Sequence, residues 1–321
     1  MLECEPAPEQ IFDFKDSINI SPACWDYNLS EMNVALFDHF YSTISDNKEY
    51  VLQLDSLFRK KIGLAERGDI MAQPWCRKKN NQNSIVAEFY ADFECNTDIL
   101  GPVSLIMEHP ELYTVSINGK IIEFKDTGFW HEKAWRRCML LDKYLQRGYN
   151  RIDFKTIIND DHAGLEAVFL TGPFAVYEKA RMINLDVLPD KLHSVNWCEQ
   201  GFTFYSGNIS YCTDVKLSSP LRGAVKLENF YGTPADIFVN DELVDTVFYS
   251  PATSKIIDFP AEFKLKISLV GSLRNSCGPF FCKTAQPVWC GPAQFYSVEN
   301  RERQLMPYGI CGDVKILIKD Q

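Results

Sequence analysis

The chain has 321 residues, enough for two domains or for one domain with an extension. Its net charge is -10 and no basic stripe runs along it, which argues against nucleic acid as a partner, because an acidic surface repels phosphates. Hydrophobic residues make up 46% and charged residues 24%, a globular composition, and no apolar run approaches the ~18 residues of a membrane helix, so no membrane partner is expected.

The N-terminal stretch MLECEPAPEQIFDF has neither a basic start nor an apolar run, so it does not read as a secretory signal. The 11 cysteines are scattered singly; the nearest of note, Cys277, Cys282 and Cys290, have neither CxxC nor zinc spacing. They read as reduced thiols of a cytoplasmic protein, and no metal or cofactor is expected.

Residues 45–64, SDNKEYVLQLDSLFRKKIGL, predict a helix over 46–62. Asp46 and Glu49 have the spacing of a capping box, and Val51, Leu54, Leu57, Phe58 and Ile62 share one face. Arg59, Lys60 and Lys61 suit the negative end of the helix dipole, and Gly63 stops it.

Beyond the helix the apolar period becomes two. In SIVAEFYADFE, Ile85, Ala87, Phe89, Ala91 and Phe93 alternate with Glu88, Asp92 and Glu94. YTVSINGK places Tyr113, Val115 and Ile117 on one side and turns at Asn118-Gly119, a strong hairpin signal because both residues tolerate positive φ. NRIDFKT, EFKLKISLVG and DVKILIK alternate likewise. Such strands predict antiparallel sheets with one solvated face, assembled as a sandwich or jelly roll.

The stretch EQGFTFYSGNISYC, residues 199–212, crowds four aromatic rings together. Alternation sets Phe202, Phe204 and Ser206 against Thr203, Tyr205 and Gly207, which reads as the opening strand of a second β-domain. Phe202 and Phe204 then belong to the core, and Tyr205, with Trp197 before it, is left for a ligand.

The chain also repeats itself. The strand of 85–94, the Asn118 hairpin, YNRIDFKT and the closing GLEAVFLTGPFAVY recur as SGNISYCTDVKL, a hairpin at Asn240, EFKLKISLVG and the closing PYGICGDVKILI. Gly172 and Gly312 match in the closing strands. The fold expected is mainly β: two tandem antiparallel β-sandwiches at 79–185 and 186–321, after a 1–78 extension with a strand and one helix.

The order of these phrases resembles the C-terminal β-sandwich region of large bacterial glycoside hydrolases, the family 2-like, rhamnosidase-like group with galactose-binding-type jelly rolls. NVALFDHFY, AEFYADFE, YTVSINGK, TGFWHEKAWRRCML, LQRGYNRIDF, GLEAVFLTGPFAVY, WCEQGFTFYSGNISY, LVGSLRNSCGPF and PYGICGDVKI carry it, from about residue 19 to about residue 318. Two departures stand out. FPAEFKLKISL replaces a Gly-x-Asn turn, and the catalytic barrel that precedes these modules is absent, so there are no positions onto which the family's acid and nucleophile can be carried.

Glycoside hydrolysis needs two carboxylates roughly 5 to 10 Å apart. Asp160, Asp161 and Glu166, in INDDHAGLEAVF, are the candidates, but NDDHAG reads as a polar turn and His162 as a solvated loop residue. No nucleophile elbow, P-loop, GxGxxG or HExxH occurs, and no catalytic residue is assigned. For sugar binding, Trp289 in the long excursion of the second copy is the first choice, with Arg274, Asn275, Trp197 and Tyr205. Trp130 and Trp135 read as packing residues.

The sequence thus predicts a non-catalytic carbohydrate-associated module pair, which binds glycan weakly or packs against a catalytic partner. One alternative is the C-terminal portion or subunit of an active glycoside hydrolase; another is a purely structural protein without ligand. The partners expected are carbohydrate and a catalytic glycosidase domain or subunit.

Overall fold

The computed structural model describes residues 14–65, 83–98, 101–140, 144–278 and 303–319. Strands β1 (Phe14–Asn19), β2 (Asp26–Leu29), β3 (Asn33–Phe37), β4 (His39–Ser42) and β5 (Glu49–Tyr50) precede helix α1 (Val51–Lys61). Next come β6 (Ile85–Cys95), β7 (Val103–Glu108), β8 (Tyr113–Ile117), β9 (Lys120–Ile121), β10 (Asp126–Trp130) and β11 (Glu132–Leu140). They are followed by β12 (Gly148–Ile158), β13 (Val168–Gly172), β14 (Ala175–Lys179) and β15 (Met182–Asp186). The remainder is β16 (Ile209–Lys216), β17 (Leu221–Leu227), β18 (Phe230–Tyr231), β19 (Ala235–Val239), β20 (Glu242–Val247), β21 (Ile257–Phe259), β22 (Glu262–Leu269), the short α2 (Arg274–Cys277), β23 (Gly309–Ile310) and β24 (Val314–Lys319).

The chain is mainly β, as expected, and forms two sandwiches. In the first, the sheet β10-β11-β7-β13-β3 shares a core with β14-β15-β6-β12-β8-β9, and β4 runs beside β6. In the second, β1-β24-β17-β21 shares a core with β2-β16-β22-β19-β20. Alternation built these layers: Ala87, Phe89, Ala91 and Phe93 of β6 point inward and are buried, as are Phe263, Leu265, Ile267 and Leu269 of β22.

The internal repeat is visible in strand order. The run β3-β13-β7-β11 of the first sandwich corresponds to β1-β24-β17-β21 of the second, and β6-β12-β8-β9 to β16-β22-β19-β20. The hairpin turns agree in detail. Asn118 and Gly119 take φ of 52° and 75°; Asn240 and Asp241 take 51° and 65°. Each asparagine donates its backbone N–H to the neighbouring long strand, Asn118 to Arg151 O and Asn240 to Lys264 O, both at 2.9 Å. Each side-chain oxygen accepts that strand's N–H in return, both at 3.0 Å. Asn118 also donates to Tyr144 O and to Asn150 Oδ1. Replacing Asn240 with Ala should therefore cost about 1–2 kcal/mol and Asn118 with Ala about 2–3 kcal/mol, an order that urea unfolding of the two variants checks.

The N-terminal strands are shared out. β1 pairs with β24 and β2 with β16, so residues 14–29, expected within an extension, are edge strands of the second sandwich. β3 and β4 join the first. From residue 14 on, the chain thus contributes first to the second sandwich, then builds the first, and returns to finish the second. Trp25 anchors the early part: it is fully buried, exchanges backbone bonds of 2.7 and 3.0 Å with Leu192, and donates its indole N–H to Ser194 Oγ at 2.9 Å.

Helix α1 starts at Val51, five residues later than the capping-box spacing predicts. Glu49 instead accepts from Ser45 Oγ at 2.8 Å and pairs with Phe40 in the β4–β5 ladder. The Val51 N–H bonds to Asp38 O at 2.8 Å, so tertiary structure sets the helix start. The C-terminal end follows the sequence: Gly63 has φ 77°, and Gly63 and Leu64 donate to Lys60 O and Arg59 O.

The sandwiches meet around NVALFDHFY. Asn33 is fully buried and its amide donates to Phe174 O and Gly201 O at 2.8 and 2.7 Å. Asp38 receives two bonds of 2.8 Å from the Arg303 guanidinium and sits 2.8 Å from His39 Nδ1. Arg303 also donates to Glu178 at 2.8 and 3.1 Å, and its guanidinium lies 5.1 Å from the centre of the Phe204 ring. A residue from the end of the second copy's excursion thus ties both carboxylates to the junction.

Candidate functional site

The outer face of the first sandwich carries a groove. Inward apolar residues of β6 and β12 leave polar ones outward, and the register sets Glu88 opposite Lys155, Tyr90 opposite Asp153 and Asp92 opposite Arg151. Strand β8 adds Thr114 and Ser116 beside Lys155 and Asp153, and β9 adds Ile121 opposite Ser116. On the other side β4 brings Tyr41 opposite Tyr90. Ser42, Thr43, Glu88, Tyr90, Thr114, Ser116, Ile121, Arg151, Asp153 and Lys155 line a groove of about 400 Å³, with Phe89 and Phe154 below. That volume falls within the range of ligand pockets. The floor is rigid, since Phe89 and Phe154 stack at 5.1 Å in the core.

The charged groups are paired in place. Lys155 donates to Glu88 at 2.6 Å, Arg151 to Asp153 at 2.6 Å, and Lys48 to Asp92 at 2.8 Å. A column of rings and cations runs across them. The Arg151 guanidinium lies 3.5 Å from the Tyr90 ring centre, Tyr41 stacks on Tyr90 at 5.1 Å, and Lys48 sits 5.3 Å over Tyr41. Strands β4 and β12 flank β6 on opposite sides, so Tyr41 and Arg151 cover the two faces of the Tyr90 ring. The groove therefore offers oriented donors and acceptors plus the apolar Ile121, which is 66% exposed.

The residues singled out by sequence lie elsewhere. Trp197 and Tyr205 are fully buried in the second core, which corrects their reading as ligand-facing rings. Trp197 stacks on Tyr308 at 5.1 Å. The Tyr205 hydroxyl accepts from Ser30 N–H at 3.1 Å and donates to Asn208 O at 3.0 Å, and burial pushes its phenol pKa up. Residues 202–207 are not a strand: β16 opens only at Ile209. They plug the junction instead, with Phe204 in the first core and Phe202 and Tyr205 in the second. Asn275 is fully buried too and braces Met306, giving Nδ2–H to its carbonyl at 2.9 Å and accepting its N–H at 2.8 Å. It presents no surface to a ligand. Arg274 opens α2 beside it and is half-buried. Trp289 lies outside the described residues.

Trp130 is buried and Trp135 half-buried; they pack on Phe169, and Trp135 donates to Glu108 at 2.9 Å. His162 is buried rather than solvated, because the loop 159–165 folds under α1. Its Nδ1 accepts from Gly164 N–H at 3.0 Å, its Nε2 lies 3.2 Å from Thr156 Oγ1, and its carbonyl accepts from Arg59, itself paired with Asp55 at 2.7 Å. Glu166 lines, with Glu108, a cavity of only about 10 Å³, room for one water rather than a sugar. Among the described residues no cluster of three His, Cys, Asp or Glu could hold a metal, and no helix is long and apolar enough to cross a membrane.

No protein-family model matches the chain, and no curated protein matches it significantly. Solved structures similar to it include glycoside hydrolase family 2 and rhamnosidase chains. A rhamnosidase from Novosphingobium sp. PP1Y shares 16% identity at a TM-score of 0.30, over 74% of this chain and 22% of its own. A GH2 β-galacturonidase from Eisenbergiella tayi shares 11% at a TM-score of 0.22, over 80% and 37%. The Streptomyces avermitilis α-L-rhamnosidase shares 14% at a TM-score of 0.25, over 73% and 26%. The chain spans well under half the length of each of these neighbours.

Proposed function

We propose that this chain is a carbohydrate-associated pair of β-sandwiches that binds glycan weakly through the groove over β4, β6, β12, β8 and β9. The observation that carries the reading is the array of donors and acceptors held at fixed spacing on a rigid sheet, Arg151, Asp153, Lys155, Glu88, Ser116 and Thr114. Sugar hydroxyls need both donors and acceptors, and preorganised side chains lose little entropy on binding. The order of phrases shared with glycoside hydrolase C-terminal modules supports the same ligand class. Electrophoresis through gels holding soluble polysaccharide tests it. The chain should be retarded, and Arg151→Ala should lose at least tenfold in affinity, as expected when a charged donor worth ~1.5–3 kcal/mol is removed. Migration unaffected by any polysaccharide would sink the reading.

A second reading is packing against a catalytic glycosidase domain or subunit. It is favoured by two consecutive outward aromatics after β20, Phe248 and Tyr249, which are 63% and 78% exposed.

A further inference from the structure

Resting on that glycan-binding reading, we infer that the groove takes neutral polysaccharide, not uronic-acid or sulfated chains, and holds it through hydroxyls bridging ion pairs instead of through ring stacking. Three observations converge on this specificity. First, the groove's charges cancel within it: Lys155 is matched to Glu88 and Arg151 to Asp153, each at 2.6 Å. A sugar carboxylate or sulfate that reached the remaining N–H groups of Arg151 would lie beside the Asp153 carboxylate, which repels a second anion. A neutral hydroxyl has no such conflict. It accepts from the cation and donates to the anion of one pair at once, leaving the pair in place.

Second, no ring face is open at the groove's aromatic residue. Tyr41 and Arg151 occupy the two faces of Tyr90 at 5.1 and 3.5 Å. Recognition then rests on hydrogen bonds, to which the neutral hydroxyls of Thr114 and Ser116 add. Third, the whole chain carries a net charge of -10, so a polyanion is repelled before it reaches the sheet.

The test runs the full chain through gels containing mixed-linkage β-glucan, galactomannan or polygalacturonate. Each gel is run at about 0.05 M and about 0.5 M salt, which span strong and weak screening. A neutral gel should retard the chain, with affinity changing less than twofold between the two salts, and polygalacturonate should not. Retardation by polygalacturonate that collapses at high salt would overturn the inference while leaving glycan binding intact; no retardation on any gel would remove both. Asp153→Asn frees Arg151 without emptying the groove, and its half-exposed position spares the fold. This variant should gain polygalacturonate binding of at least fivefold, lost again at high salt. If it still ignores polygalacturonate, the ion pair is not what excludes anionic sugars, and the inference fails.

Discussion

Deleting residues 14–29 should leave the first sandwich folded and the second unfolded. That segment supplies one edge strand to each sheet of the second sandwich, β1 beside β24 and β2 beside β16. Without it β24 and β16 lose these partners and become the edges, and the core loses Trp25, which lies fully buried and edge-on to Tyr211 at 6.0 Å. Trp25→Ala alone should cost about 3–5 kcal/mol, the usual toll of a large ring removed from a close-packed core and a large share of a domain's stability. Hydrogen exchange read by peptide localises the effect. In the deletion, amides of β16, β17 and β22 should exchange at near-unfolded rates while those of β6 and β12 stay protected. Equal loss of protection in both sandwiches would show that neither stands without the other.

The second large effect concerns the ionic junction. Arg303→Met should destabilise the chain by about 3–5 kcal/mol at neutral pH, because it strands the buried carboxylate of Asp38 and the half-buried one of Glu178. Burial by itself pushes the Asp38 carboxyl pKa up; the Arg303 charge and the His39 side chain, with their hydrogen bonds, outweigh it and hold the group well below the usual carboxylate range. The sign of the pH dependence follows. A carboxyl depressed in the folded state stabilises fully above its unfolded pKa of about 3.9, and that contribution drains away as pH falls below it. In the variant the same carboxyl lacks its cation, so protonation at low pH relieves it instead. The gap in urea midpoint between the two proteins should be widest near pH 7 and close toward pH 3. A constant gap across that range would mean that Arg303 acts by packing on Phe204 rather than by charge.

Local chemistry wrote much of this fold into the sequence. Strands such as β6 and β22 announce themselves by alternation, and Asn118 and Asn240 mark their hairpins because positive φ is a property of the residue and its neighbour. The start of α1 was not legible: Asp46 and Glu49 have the right spacing, yet the Asp38 carbonyl, reached only through tertiary folding, receives the first N–H. The aromatic crowd at 202–205 misled for a similar reason. Ring density is high both at ligand platforms and at domain junctions, and only the fold tells Phe204 in one core from Tyr205 in another. The groove escaped notice because no single strand contains it. Glu88, Tyr90 and Asp92 look like an ordinary solvated face until the register sets them against Lys155, Asp153 and Arg151.

The nested strand order has a consequence for synthesis. β1 is translated before every strand it pairs with, and its partner β24 comes some three hundred residues later, at the far end of the chain. All the strands of the first sandwich are made in between, so that unit can close while the ribosome is still at work on the second. Until β24 emerges, β1 remains an open edge, with the exposure to wrong partners that unpaired strands carry. Its described face limits that hazard: Lys15, Asp16 and Ser17 are exposed in a strand of six, a polar stretch poorly suited to stray sheet pairing. The order in which the chain is made thus adds a second reason for polarity at a strand that its finished edge position already asks to be polar.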